Sequence, residues 1–102
     1  IAHSDGYAKG TLLINDKAKE RLLSDNAVSL LPIGITGVEG EFEKDDIVRI
    51  KDRQGVIIGV GKVSCNSDKA IALAGKKGGK PLVHYDYLYI EYIRFFAIVY
   101  FI

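Results

Sequence analysis

The stretch Ser29-Leu30-Leu31-Pro32-Ile33-Gly34-Ile35-Thr36-Gly37-Val38-Glu39-Gly40-Glu41-Phe42 carries the most information about the fold. From Val28 to Ile35 it reads as strand-like, but Pro32 has no N–H for a ladder, so the run belongs at a sheet edge or a bulge. Gly34, Gly37 and Gly40 then predict a turn-rich stretch. Upstream, Thr11-Leu12-Leu13-Ile14 is a short apolar run after Gly10 and predicts a strand. Asn15-Asp16 offers a cap for a helix over Lys17–Leu23, closed by Ser24-Asp25-Asn26. Ala18, Leu22 and Leu23 share one face of it, while Lys17, Lys19, Glu20 and Arg21 face water.

Downstream, Ile47-Val48-Arg49-Ile50-Lys51 alternates inward and outward, and Asp52-Arg53-Gln54-Gly55 reads as a hairpin connection. Val56–Val63 is the return strand, with Gly59 and Gly61 marking a bend or a close approach of backbone. Ser67-Asp68 predicts the cap of a short helix over Ala70–Ala74, ended by Gly75. A Lys/Gly loop over 76–80 leads through Pro81 to a last extended run, Leu82–Ile90. Short strands, tight turns and two small helices predict a mainly β, α+β chain folded as a small mixed barrel, and not repeated βαβ units.

A length of 102 residues supports one domain, and 48% apolar residues with a net charge of +1 exclude intrinsic disorder. The single cysteine, Cys65, excludes a disulfide framework and a multi-cysteine zinc site. With no secretory signal, a reducing, cytoplasmic setting is expected. The chain contains no Met and begins Ile1-Ala2-His3, which reads as a piece of a longer protein. Residues 1–50 hold six basic and nine acidic residues, whereas residues 51–102 hold eight and four, so the basic excess lies late, around Lys69, Lys76, Lys77 and Lys80. A solvated loop accounts for it most simply, an anion-facing patch being the alternative.

Motifs with chemistry fail on spacing. Gly59-Val60-Gly61 meets Ser64 where a dinucleotide fingerprint needs its third glycine, and Gly34-x-x-Gly37-x-x-Gly40 carries Glu39 where an anion would approach. Gly75-Lys-Lys-Gly-Gly-Lys80 is followed by Pro81 in place of the magnesium-holding Ser or Thr, and no strand leads into it. His3, His84 and Cys65 have no partners in sequence, and Cys65 is read as a small buried hydrophobe. The carboxylates at Asp45-Asp46 and at Glu39, Glu41 and Glu43 fall in exposed turns. No catalytic, cofactor or metal residues are assigned. The apolar run Phe95–Ile102 is too short to span a bilayer, which takes about 20 residues. For Tyr92–Ile102, whose one charge is Arg94, three readings stay open: an added core strand, a contact with a partner subunit, or a non-native tail.

Taken together, Gly10-Thr-Leu-Leu-Ile14, Ala18, Ser29–Phe42, Asp46-x-Val48, Asp52-x-x-Gly55 and Ile58-Gly-x-Gly61 resemble a PUA domain. With His84-x-Asp86-x-Leu88 added, the pattern is most similar to the PUA domain at the C-terminus of the bacterial glutamate 5-kinase family. The resemblance implies a pseudo-barrel of mixed strands over residues 10–91, an N-terminal linker over 1–9 and an apolar tail over 92–102 outside the pattern. It also implies an amino-acid-kinase domain upstream. That domain would hold ATP and magnesium, phosphorylate the side-chain carboxylate of glutamate in proline biosynthesis, and respond to proline by feedback. The fragment would then be an accessory or regulatory domain with no catalysis of its own, and a homo-oligomer is compatible with it. Asp45-Asp46 departs from the pattern, which prefers Gly-Asp there, and Cys65 stands where the kinases often carry Tyr.

The alternative that the resemblance implies is an RNA-binding module of an RNA-modifying enzyme. Other PUA domains grip RNA with the first helix and the following Pro-x-Gly strand, which maps onto Lys17, Arg21, Leu31, Pro32, Ile33 and Gly34, with Lys9 nearby. Against it, the N-terminal half is net acidic and no aromatic adjoins this segment in sequence to stack a base. An independent enzyme on this barrel would need a convergent polar site that the sequence does not supply.

Overall fold

The chain's elements run β1 (Gly10–Ile14), α1 (Asp16–Ser24), a 3-10 turn (Pro32–Gly34), β2 (Ile35–Gly40), β3 (Ile47–Lys51), β4 (Ile57–Val63), α2 (Ser67–Leu73) and β5 (Val83–Ile90). They come from a computed structural model that describes residues 8–24 and 28–91. The strands form one sheet in the order β2-β1-β3-β4-β5, antiparallel throughout except for the parallel β1–β3 pair. That parallel pair requires a long crossover, and α1, the 3-10 turn and β2 supply it.

Leu30 closes the sheet on itself. Its N–H donates to the Val83 carbonyl at 2.9 Å and its carbonyl accepts from Leu82 N–H at 2.8 Å, against the outer edge of β5. Five residues later Ile35 pairs with Ile14 at the opposite edge of the sheet. Residues 30–35 therefore span the gap between the two edges, and the expected pseudo-barrel results. Alternation fills its interior: Leu12 and Ile14 from β1, Val48 and Ile50 from β3, Ile58 and Val63 from β4, with Leu30, Phe42, Leu82 and Val83 from the connections and β5. Each fully buried Leu, Ile or Val of this set contributes about 1.5–3 kcal/mol over its exposed state.

Close backbone approach explains two glycines. A Cβ on Gly59 would run into the Tyr89 carbonyl, and one on Gly61 would lie 2.5 Å from a Val83 methyl, so β5 crosses β4 more tightly than side chains permit. Four sequence expectations change. Ile35–Gly40 is a strand and not a run of turns, because β1 supplies its partners and Leu13 packs against the bare face of Gly37. The predicted strand over 28–35 is reduced to a single bridge at Leu30 followed by a 3-10 turn, with Pro32 at its start and Gly75 N–H donating to the Pro32 carbonyl at 2.7 Å. The second helix is capped by Asn66, whose side chain accepts from Lys69 N–H, and not by Ser67-Asp68. Lys19, read as facing water, is instead partly buried: its Nζ donates to Asp52 Oδ2 at 2.9 Å.

Candidate functional site

Asn15 holds together the elements from which the site is built. Its Oδ1 accepts from Ala18 N–H at 2.7 Å and caps α1, while its own N–H donates to the Gly34 carbonyl at 3.0 Å and its Nδ2 to the Ile33 carbonyl at 3.4 Å. The helix is thereby tied to the 3-10 turn. The approach is close: a Cβ on Gly34 would sit 2.7 Å from the Ala18 Cβ. On the other side of α1 the Lys19–Asp52 pair, with Asp52 only 2% exposed, fixes the helix to the β3–β4 turn. Burial alone would raise the Asp52 carboxyl, but the Lys19 hydrogen bond, the amides of Val56 and Gln54 and the Lys19 charge together hold it below its ordinary value.

Between α1 and residues 28–34 lies a groove of about 510 Å³. Lys17 and Arg21, one helical turn apart and both exposed, stand along one wall. Leu31 and Ile33, 46% and 44% exposed, stand along the other, and Gly34 lines the groove next to Ile33, buried, with its N–H donated to the Leu31 carbonyl at 3.0 Å and its carbonyl taken by Asn15 N–H. Among the described residues no carboxylate lines it. Such a trough suits a ligand with anionic groups on one side and apolar surface on the other. Among the described residues no three His, Cys, Asp or Glu side chains gather as a metal site. Cys65 is buried, and that burial pushes its thiol up, with the Lys69 charge opposing.

Of the seven candidate contacts read from the sequence, Lys17, Arg21, Leu31, Ile33 and Gly34 converge on this groove. Pro32 turns inward and is buried in the 3-10 turn. Lys9 stands apart: its N–H donates to the Ile47 carbonyl ahead of β1, so the whole strand separates it from Asn15, roughly 20 Å at the usual rise per residue. No aromatic is among the described residues that line the groove, and β5 meets it through a backbone contact. Ser29, on the groove wall, accepts the N–H of Tyr85 at 2.9 Å. His84 stacks on Tyr85 with ring centroids 4.4 Å apart and lies 6.4 Å from the Tyr87 ring, over which Lys62 Nζ sits at 4.0 Å. These rings belong to the alternating run Tyr85, Tyr87, Tyr89, and the Leu30–Val83 bridge sets the start of that strand beside the groove wall.

A curled five-strand sheet closed by residues 30–35, with one helix in the crossover, is the architecture of PUA domains. A solved PUA domain from Aeropyrum pernix, determined as a tartrate complex, matches with a TM-score of 0.67 and 26% identity over 74% of this chain and 41% of that one. A chain of a Cbf5–Nop10–Gar1 complex shares the fold at a TM-score of 0.60, with 17% identity over 80% of this chain and 22% of its own. The chain belongs to the PUA domain family, whose model matches residues 10–84. Its curated relatives include the glutamate 5-kinases of Bacteroides thetaiotaomicron, 60% identical over 91 residues, and Chlorobaculum tepidum, 50% identical over 91 residues. Those matches cover 89% and 88% of this chain but 25% of each relative, so the chain spans about a quarter of their length. No helix among the described residues is long and apolar enough to cross a membrane.

Proposed function

We propose that the chain is the accessory PUA domain of a cytoplasmic glutamate 5-kinase, without catalysis of its own. In this reading ATP, magnesium and glutamate bind in an amino-acid-kinase domain upstream, and the PUA domain tunes that domain's response to proline, the end product of its pathway. The observation that carries it is 60% identity across 89% of the chain to a kinase of which it matches only a quarter. The test removes the matching quarter from the Bacteroides thetaiotaomicron kinase. Glutamate-dependent ATP turnover should persist in the truncated enzyme while its inhibition by proline changes. Loss of all turnover in a folded truncation, or an unaltered proline response, contradicts the reading.

A second reading concerns the groove, which we infer holds RNA. The observation favouring it is that Lys17 and Arg21 share one groove with the exposed Leu31 and Ile33, with no carboxylate among the described lining residues. Each cation that neutralises a phosphate steepens the salt dependence of binding by roughly 0.7–0.9 log units per decade. Gel-shift titration of Arg21→Ala against the wild type, at low and moderate salt, should show weaker binding and a shallower slope. No binding of structured RNA by the wild type at tens of micromolar discards this reading, since even non-specific sites often reach that range.

A further inference from the structure

We propose that the ring cluster on β5 is a base-stacking subsite that continues the groove, so that the RNA it accepts is single-stranded where it crosses β5. The inference rests on the reading of the groove as an RNA site and adds the chemical form of the ligand. Its elements are contiguous: Ser29 in the groove wall accepts Tyr85 N–H, Tyr85 stacks on His84, His84 neighbours Tyr87, and Lys62 lies over the Tyr87 ring. Tyr85, Tyr87 and His84 are 45%, 46% and 48% exposed, so much of their surface faces solvent rather than core. Contiguous exposed apolar surface rimmed by polar residues is a mark of an interaction site, whereas singly scattered side chains are not.

Charge selects the ligand. Cations stand at both ends of the path, Lys17 and Arg21 in the groove and Lys62 at Tyr87. The acid within the cluster, Asp86, faces His84 Nδ1 at 3.6 Å, and its N–H donates to the same nitrogen at 3.2 Å. A polyanion with flat apolar faces satisfies this pattern: phosphates pair with the cations and bases lie on the rings. Bases stacked inside a duplex have no free face to offer. Stacking is tolerant of sequence, so the subsite would discriminate strandedness and not base identity.

The experiment uses the full chain and one RNA of about twelve nucleotides, either single-stranded or annealed to its complement. Anisotropy gives the affinity, and tyrosine emission, available because the chain has no Trp, reports contact with the rings. The wild type should prefer the single strand and show quenched tyrosine emission on binding it. Tyr87→Ala and Tyr85→Ala should each weaken single-strand binding roughly 5- to 100-fold and leave duplex binding unchanged, while Tyr87→Phe retains the preference. Both rings are largely exposed, so circular dichroism of the variants should match the wild type. Equal affinity for both RNA forms, with Arg21→Ala still weakening each, overturns the stacking subsite and spares the groove. No binding of either form overturns both. A wild-type dimer in sedimentation equilibrium that Tyr87→Ala dissociates, with no strand preference, assigns the rings to a second copy of the chain and likewise overturns the proposal.

Discussion

Replacing Asp52 with Ala tests the tie that positions the groove. The carboxylate is 2% exposed, its Oδ2 accepts from Lys19 Nζ at 2.9 Å, and its Oδ1 accepts the N–H groups of Gln54 and Val56 at 2.9 Å each. Ala removes all three bonds at once. Breaking a buried pair by deleting one partner costs about 3–5 kcal/mol, but Lys19 is 24% exposed and recovers part of its hydration. The exposed turn amides of Gln54 and Val56 also find water, which brings the expected loss to about 2–3 kcal/mol. At 4–8 °C per kcal/mol for a domain of this size, the melting temperature should fall by roughly 10–20 °C. Asp52→Asn keeps an acceptor for the turn and should lose about half as much stability. The same pair makes stability depend on pH in the acid range. Because the folded-state carboxyl lies below its ordinary value of 3.8, its contribution is fully present above that pH and fades as pH falls through the folded value. The stability gap between wild type and Asp52→Asn should therefore be flat at neutral pH and shrink below about pH 4. Urea unfolding followed by circular dichroism at a series of pH values measures both effects. A loss under about 0.5 kcal/mol for Asp52→Ala, the scale of an ordinary surface substitution, or a gap that stays constant into acid, would refute the argument.

Asp45 has φ +76°, a left-handed conformation in which glycine is at ease, and its N–H bond to the Val63 carbonyl at 2.9 Å does not depend on the side chain. Asp45→Gly should therefore stabilise the chain by about 0.5–1 kcal/mol, read as a higher urea midpoint with unchanged slope. Gly34→Ala places a methyl 2.7 Å from the Ala18 Cβ and should cost about 1–3 kcal/mol while pushing α1 off the 3-10 turn. Adding Ala18→Gly should restore part of that loss, and a double-mutant cycle showing no coupling would place the strain elsewhere. Cys65, buried and with its thiol raised, should react with an aromatic disulfide reagent only as fast as the chain opens. Complete labelling within seconds in native buffer would contradict its placement.

What the sequence reveals of this fold depends on how local the cause is. Gly10–Ile14, Ile47–Lys51 and the Asp52–Gly55 connection are legible because alternation and turn chemistry act between neighbours. Ile35–Gly40 is not, since two glycines in six residues lack strand propensity and the conformation comes from pairing with β1. Residues 31–34 read as extended because their apolar content resembles a strand, whereas the 3-10 turn is held by Gly75, far along the chain. Lys19 looks solvated on a helical wheel and is recruited by Asp52, thirty-three residues away. The groove follows the same division. Lys17 and Arg21 share a helix face by spacing alone, and the resemblance to PUA domains adds Leu31–Gly34. β5 meets the groove wall across fifty-six residues, through the Tyr85 N–H on Ser29, a contact that no local pattern encodes.

The central claim, that the chain serves a glutamate 5-kinase as its accessory domain, is tested most directly by exchange. In the Bacteroides thetaiotaomicron kinase, the matching 91-residue stretch would be replaced by that of this chain and the proline inhibition curve recorded. The account predicts a chimera with glutamate-dependent ATP turnover and a proline response overlying that of the intact kinase, both absent from the isolated chain. A folded chimera whose proline response matches that of the truncated enzyme, or phosphorylation of glutamate by the isolated chain, would contradict it.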